Sequence, residues 1–148
     1  MEAELYLEQV KKINLMIINK LAERNYWYYL ATDTTSKLNP VKVQSSNSNQ
    51  KIASAMDSVL EIDSEIVNLR KKQKEIIEVI EQFPEDVYDV LHKKYVQYDT
   101  YDSTQAIADS RRISKRTVER LLRKGLELVE MELKKKTSLK YANLRNLT

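Results

Sequence analysis

The chain has few or none of several residues on which particular protein classes depend. None of its 148 residues is cysteine, which excludes a disulfide framework, a cysteine-ligated zinc site and a thiol nucleophile. The single histidine, His92, lies within a helical pattern and has no triad partner at a recognisable spacing. Because a catalytic base needs a partner within hydrogen-bond reach, we interpret His92 as a packing or surface residue.

Glycine, proline and long apolar runs are also scarce. One Gly and two Pro leave little material for the turns of a sheet, whereas 32% charged residues suit long helices. No apolar run approaches the roughly 18 residues that span a bilayer, and the acidic segment 1–10 is unlike a signal peptide. We find no glycine-rich phosphate loop and no metal-binding arrangement of carboxylates. These absences predict a cytoplasmic protein that is not an enzyme, with no membrane partner, cofactor, metal site or catalytic residue.

Two long amphipathic segments make up the first half of the chain. In residues 2–31 the apolar positions recur at steps of three, four or seven, at Tyr6, Val10, Ile13, Ile17, Leu21 and Tyr28. In residues 50–82 the steps are three or four throughout, at Ile52, Met56, Val59, Ile62, Ile66, Leu69, Gln73, Ile76 and Ile80. Both segments are therefore predicted to be helices.

A loop is predicted between the two helices. Residues 32–49 contain Asn39-Pro40 and a Ser/Asn cluster, which are typical of turns and loops. Val41 and Val43 alternate with polar residues and indicate a short extended piece. Two amphipathic helices joined by one loop most simply form an antiparallel, coiled-coil-like hairpin. Their stripes then bury each other or associate with a second chain, since an isolated helix gains little without packing.

Two features of the predicted hairpin leave alternatives open. Gln73 interrupts the apolar seam, where a polar residue either fixes the register of the helices or lies at the edge of the contact. The densest aromatic cluster is Tyr26-Trp27-Tyr28-Tyr29. We favour core packing for this cluster because large aromatic side chains dominate cores, while an exposed patch would instead mark a partner site.

Shorter helices are predicted after Phe83-Pro84. Proline suits the first turn of a helix, and Glu85 and Asp86 favour the positive end of its dipole, which predicts a helix over 85–97. A loop follows at 98–103, with Asp102 or Ser103 capping the next helix.

Residues 105–122, QAIADSRRISKRTVERLL, have the pattern of a helix-turn-helix, with helices over 104–110 and 114–135. Ala108 falls where two helices approach closely, and the hydroxyl of Ser114 can cap the second helix. Gly125 lies inside that helix at a cost of about 1 kcal/mol relative to Ala, which predicts a close contact there. The buried contacts of the motif fall at Ile107, Ile113, Val118 and Leu121.

The second helix of this motif has a cationic outer face, which suits insertion into a DNA major groove. Residues 111–148 have 12 Lys and Arg against 4 acids, whereas residues 1–110 have 13 against 18. A basic end on an acidic body indicates a polyanionic partner. The alternative to DNA binding is an ordinary helical hairpin whose basic face is solvated. Our candidate DNA-binding residues are Arg111, Arg112, Ser114, Lys115, Arg116, Thr117, Glu119, Arg120, Arg123 and Lys124.

Residues 83–135 resemble region 4 of the sigma-70 class of RNA polymerase subunits. The resemblance rests on four features. The segment starts with an apolar residue followed by proline, Leu91 and Tyr95 are spaced as in that family, and the first motif helix contains Ala-Ile-Ala. The fourth feature is Ile113-Ser114 followed by Thr117-Val118. The whole chain, with its VQSS segment at 43–46, is similar to small phage and prophage regulators of the ArpU and RinA type. This resemblance implies DNA binding and transcription control, with polymerase contact by the same domain.

One position departs from that pattern. Arg112 stands where a glycine is usual, because the turn often takes a positive φ; either Arg112 is mildly strained or the turn is longer by Arg111. The chain also has no counterpart of the region that melts the −10 element, so we expect a regulator rather than a complete sigma factor.

The sequence thus predicts an all-α protein with three parts: a helical hairpin over 1–82 for dimerisation or docking, a sigma region 4-like helix-turn-helix domain over 83–135, and a basic tail over 136–148. The expected partners are double-stranded DNA, a second copy of the chain, and host RNA polymerase. Two alternatives stay open, a DNA-packaging recognition subunit and an interaction or scaffold protein that binds no DNA.

Overall fold

The computed structural model describes the backbone of residues 2–37 and 46–146, and the side chains of residues 2–32 and 49–146. These residues form helices and no strand, which confirms the predicted all-α class. The helices are α1 (Glu2–Lys37), α2 (Ser46–Glu81), α3 (Glu85–Tyr95), α4 (Thr104–Arg111) and α5 (Lys115–Asn146).

Several helix ends differ from the predicted ones. The first two helices extend into the segment predicted as a loop, and α5 continues through most of the predicted tail. Every side chain from 134 to 146 is exposed, so this last part of α5 is a helix without a buried face. The short extended piece predicted at Val41 and Val43 lies outside the described residues.

The chain divides into two compact units, which cut across the boundary predicted at residue 82. The terminal unit comprises Met1–Lys12 and Gln73–Thr148, and the middle unit comprises Ile13–Lys72. Both α1 and α2 therefore contribute one segment to each unit. The predicted division into a hairpin, a helix-turn-helix domain and a tail stays a prediction about which parts fold alone.

In the middle unit α1 and α2 run antiparallel. Lys20 pairs with Glu65 at 2.7 Å and Arg24 pairs with Asp63 at 2.5 Å, so later positions on α1 meet earlier positions on α2. The apolar side chains buried in this unit are Ile13, Ile17, Ala31, Ala55, Val59, Ile62 and Ile66.

Three positions of the predicted stripes are wrong, since Leu21, Tyr28 and Met56 are exposed. One row of buried or half-buried positions on α1 repeats every seven residues, at Ala3, Val10, Ile17, Arg24 and Ala31. A strict seven-residue repeat keeps one seam against a partner helix. Because the seam position 24 is occupied by the charged Arg24, the apolar pattern predicts burial of Leu21 and Tyr28, which do not lie on the seam.

The expectation of core packing for the aromatic cluster is also wrong for its three tyrosines. Tyr26, Tyr28 and Tyr29 are exposed, and only Trp27 is half-buried. Successive residues on a helix point about 100° apart, so four consecutive aromatic side chains cannot all reach one core. Tyr26 packs edge-on against Trp27, with ring centroids 5.4 Å apart.

The terminal unit contains most of the buried apolar side chains. In it α3 packs against α5 and α4, and α4 packs against α5. The Nε2 of Gln73 donates to the carbonyl oxygen of Val10 at 3.1 Å, a specific polar bond of the kind that fixes register. Burial, with Glu4 and Glu8 nearby, raises the pKa of Tyr95 to about 12. The largest side chains that are almost fully buried in this unit are Leu7, Val10, Ile80, Val87, Val90, Leu91, Ile107, Val118 and Val129.

Candidate nucleic-acid interface

The turn between α4 and α5 has a closed hydrogen-bond pattern. Arg112 adopts φ 57° and ψ 43°, which is the first of the two alternatives that the sequence left open. The N–H of Ile113 donates to the carbonyl of Ala108 at 3.1 Å, and the N–H of Arg112 donates to that of Asp109 at 3.4 Å. These two bonds form a Schellman motif, which satisfies the last carbonyls of α4 and fixes where α5 begins.

Both helices of the motif begin at a serine cap: Ser103 is the cap of the two candidates predicted for α4, and Ser114 caps α5 as predicted. The Oγ of Ser103 accepts from the N–H of Ala106 at 3.1 Å, and the Oγ of Ser114 accepts from the N–H of Thr117 at 3.1 Å. The hydroxyls of Ser114 and Thr117 also hydrogen-bond each other at 2.8 Å. These two candidate DNA-binding residues therefore hold the first turn of α5 in place.

The inner face of α5 is fixed by close packing. Val118 and Leu121 are buried, as are Ile107 and Ala108 on α4, whereas Ile113 is only half-buried. The close contact predicted at Gly125 is confirmed. A Cβ built there would lie 2.7–2.9 Å from the side chain of Leu91 on α3, so any larger residue at 125 would require the buried Leu91 side chain to shift.

Three arginines share the outer face of α5. Arg116, Arg120 and Arg123 follow one another at steps of four and three, which places them on one side of a helix. All three are exposed, and none forms an ion pair with another residue that the structure describes. With Thr117 and Glu119 they line an open depression of about 470 Å³.

The remaining candidates surround this arginine row, except for one. Arg112, Lys115, Glu119 and Lys124 are exposed, and on α5 Lys115 and Lys124 lie on opposite sides of the arginine row. Arg111, in contrast, is turned inward and half-buried. Its Nη1 lies 2.5 Å from Asp89 on α3, and its Nε is buried without a hydrogen-bond partner among the described residues.

Asp89 and Lys93 are functional-site neighbours that sequence reasoning missed. The Nζ of Lys93 lies 2.6 Å from Asp89 and 5.3 Å from the centre of the Tyr101 ring. Partial burial alone would raise the pKa of Asp89, but hydrogen bonds from Lys93 and Arg111 outweigh this effect and lower it. Asp89 therefore stays ionised and holds Arg111 at the end of α4.

Other kinds of site find no support in the part of the chain that the structure describes. It contains no group of three or more His, Cys, Asp or Glu side chains arranged to hold a metal ion. His92 is half-buried on α3, where its Nδ1 lies 3.1 Å from the Oε1 of Gln97. No helix within residues 2–37 and 46–146 is long and apolar enough to cross a bilayer.

Comparison with protein-family models, curated proteins and solved structures finds no match to this chain.

Proposed function

We propose that this chain is a sequence-specific DNA-binding regulator of transcription that places the outer face of α5 in a major groove. The row of Arg116, Arg120 and Arg123 is the observation that supports this proposal most. These guanidinium groups are exposed and unpaired among the described residues, while the opposite face of the same helix is buried. Because its opposite face is packed in the core, α5 holds these cations at the surface in a fixed position.

The chemistry of the surface suits both parts of DNA recognition. An arginine can donate two parallel hydrogen bonds to the O6 and N7 of guanine, and a carboxylate such as Glu119 can accept from the N4 of cytosine. The flanking cations Arg112, Lys115 and Lys124 are suited to phosphate oxygens, which position a protein without reading sequence. The preference for particular sites is thus assigned to the arginine row and the general affinity to its flanks.

The regulatory part of the proposal rests on the resemblance of residues 83–135 to sigma region 4. On this proposal the protein acts on DNA in the cytoplasm as a phage or prophage regulator, with polymerase as a further partner. The same surface on a DNA-packaging subunit would also bind DNA. Transcript changes on deletion, measured beside genome-wide DNA occupancy, separate the two.

The direct test is selection of binding sites from random double-stranded DNA by the full-length chain. We expect one enriched sequence, and we expect Arg116→Ala to bind it about 1–3 kcal/mol more weakly while losing much less on random DNA. Arg70→Ala, which removes an exposed arginine of α2, is the matched control and should bind as the parent chain does. Failure to enrich any sequence at physiological salt would overturn the proposal in favour of an interaction protein.

A further inference from the structure

A second apolar face lies on α1, away from its buried seam. Five uncharged residues follow one another at steps of three, four, four and three, which keeps them on one side of the helix. Ala22 lies nine residues, or two and a half turns, from both Ile13 and Ala31, which are buried. The outer stripe therefore points away from the seam. Its members are Leu15 (54% exposed), Ile18 (60%), Ala22, Tyr26 (59%) and Tyr29 (57%).

The stripe is symmetric about its smallest member. Leu15 and Tyr29 lie seven residues on either side of Ala22, and Ile18 and Tyr26 lie four residues on either side. Two identical helices that pack antiparallel about a two-fold axis bring together positions equally distant from the axis. An axis through Ala22 would thus pack Leu15 against the partner's Tyr29 and Ile18 against the partner's Tyr26.

We propose that this chain forms a homodimer through the outer stripe of α1, with the two-fold axis at Ala22. Symmetric placement favours a second copy over an unrelated partner, because an unrelated partner would require no such pairing of positions. Each aliphatic side chain then meets an aromatic one, and the alanine at the axis lets the two backbones approach closely.

The residues beside the stripe suit the same symmetry. Asn19 and Asn25 are exposed and lie three residues on either side of Ala22. At the edge of the interface, the amide of Asn19 can hydrogen-bond to that of Asn25 in the second copy. Lys20 and Arg24 lie two residues on either side of Ala22, which places them about 160° away around the helix. They are on the seam side, where they pair with Glu65 and Asp63 of α2, so their charges do not face the partner.

The size of the stripe sets the expected strength of the dimer. Its four large side chains expose roughly 400 Å² in each protomer, about half of what a standard interface buries per partner. We therefore expect a reversible dimer whose population rises with protein concentration, with the rim supplying the rest of the contact.

Sedimentation equilibrium of the full-length chain without DNA tests the proposal separately from DNA binding. We expect a concentration-dependent dimer, and we expect Ile18→Glu to shift it to monomer with unchanged helical circular dichroism. Leu60→Glu replaces an α2 side chain of similar exposure, 63%, and should leave the dimer intact. A chain that is monomeric at every concentration, or a dimer lost in Leu60→Glu and kept in Ile18→Glu, would overturn the proposal.

Cysteine cross-linking tests the register, since the natural chain has no cysteine. With a short bis-maleimide, Ala22→Cys should cross-link to itself, and Leu15→Cys should cross-link to Tyr29→Cys when the two proteins are mixed. Ser64→Cys on α2 is exposed and should give only background cross-linking. A dimer that cross-links no better through Ala22→Cys than through Ser64→Cys would contradict an axis at Ala22.

Discussion

The outer faces of α1 and α5 make an instructive comparison. Each helix has one buried side and one exposed side, and on each the exposed side has side chains at helical spacing. On α1 these are apolar, centred on Ala22, whereas on α5 they are Arg116, Arg120 and Arg123. Since the period is the same, our two proposals rest on the chemistry of the outer face: we propose an apolar partner surface for α1 and a polyanion for α5.

The inner faces of the two helices differ as much as the outer ones. The seam of α1 in the middle unit includes ion pairs such as Arg24–Asp63, while α5 is buried around Gly125 against Leu91. We infer that the position of the arginine row depends on close packing, and that packing changes should disturb it more than charge changes do. The following predictions test that difference, from the largest expected effect to the smallest.

The largest effect is expected at the contact between α3 and α5. Leu91→Ala should cost about 2–5 kcal/mol of unfolding free energy, because it leaves a cavity in the core. Gly125→Ala alone should destabilise by about 1–2 kcal/mol, since overpacking against Leu91 outweighs the better helix propensity of alanine. In the Leu91→Ala background the same change should stabilise the protein, because the clash is gone. Urea unfolding of the four proteins measures this reversal of sign, and additive effects would contradict the close contact.

A smaller effect is expected from the ion pair that turns Arg111 inward. Asp89→Asn should cost about 1–3 kcal/mol near neutral pH, because it weakens charge-assisted bonds to Arg111 and Lys93. Folding lowers the pKa of Asp89. Its contribution is therefore complete above the unfolded pKa of about 3.9 and is lost as the pH falls through the lower folded pKa.

Thermal unfolding between pH 7 and pH 2 measures this dependence. The difference between the parent chain and Asp89→Asn should shrink as the solution becomes acidic. Asp99→Asn, in the exposed turn after α3, should show no such difference at any pH. A constant difference for Asp89→Asn would show that its charge is not what stabilises the site.

The smallest effect is expected at the turn. Arg112→Gly should raise the unfolding free energy by about 1 kcal/mol, because glycine adopts a positive φ without steric cost. If Arg112 contacts a phosphate, the same variant should reduce the salt dependence of DNA binding by about one unit of slope. Arg112→Ala loses the charge and keeps the strain, so it should show the change in slope without the gain in stability. Equal stability of Arg112→Gly and Arg112→Ala would show that the positive φ of Arg112 does not strain the native backbone.

Local signals in the sequence predicted more than long-range ones. The caps at Ser103 and Ser114 and the positive φ at Arg112 depend on residues a few positions apart, and all three are present. The close approach at Gly125 was also predictable, because a glycine inside a helix is unfavourable unless a close contact requires it. The bond from Arg111 to Asp89 spans 22 residues, and no periodicity indicates which of two adjacent arginines turns inward.

The outer stripe of α1 was hidden for a related reason. Sequence periodicity shows that apolar residues share a face, but a helix with apolar residues on two faces does not reveal which one is buried. The apolar pattern favours Leu21 and Tyr28 as seam positions because the charged Arg24 interrupts the true seam. Only the packing of α2 against α1 separates the seam from the stripe that stays exposed.

The most direct test of the central account compares two triple variants that change the net charge equally. One removes the arginine row, Arg116→Ala with Arg120→Ala and Arg123→Ala; the other removes exposed cations of α2, Arg70→Ala with Lys71→Ala and Lys72→Ala. Fluorescence anisotropy measures their binding to the selected DNA site and to random DNA at one salt concentration. The account predicts that the first variant loses its preference for the site and that the second keeps it. Equal preference in both variants would contradict the assignment of the outer face of α5 as the DNA-reading surface.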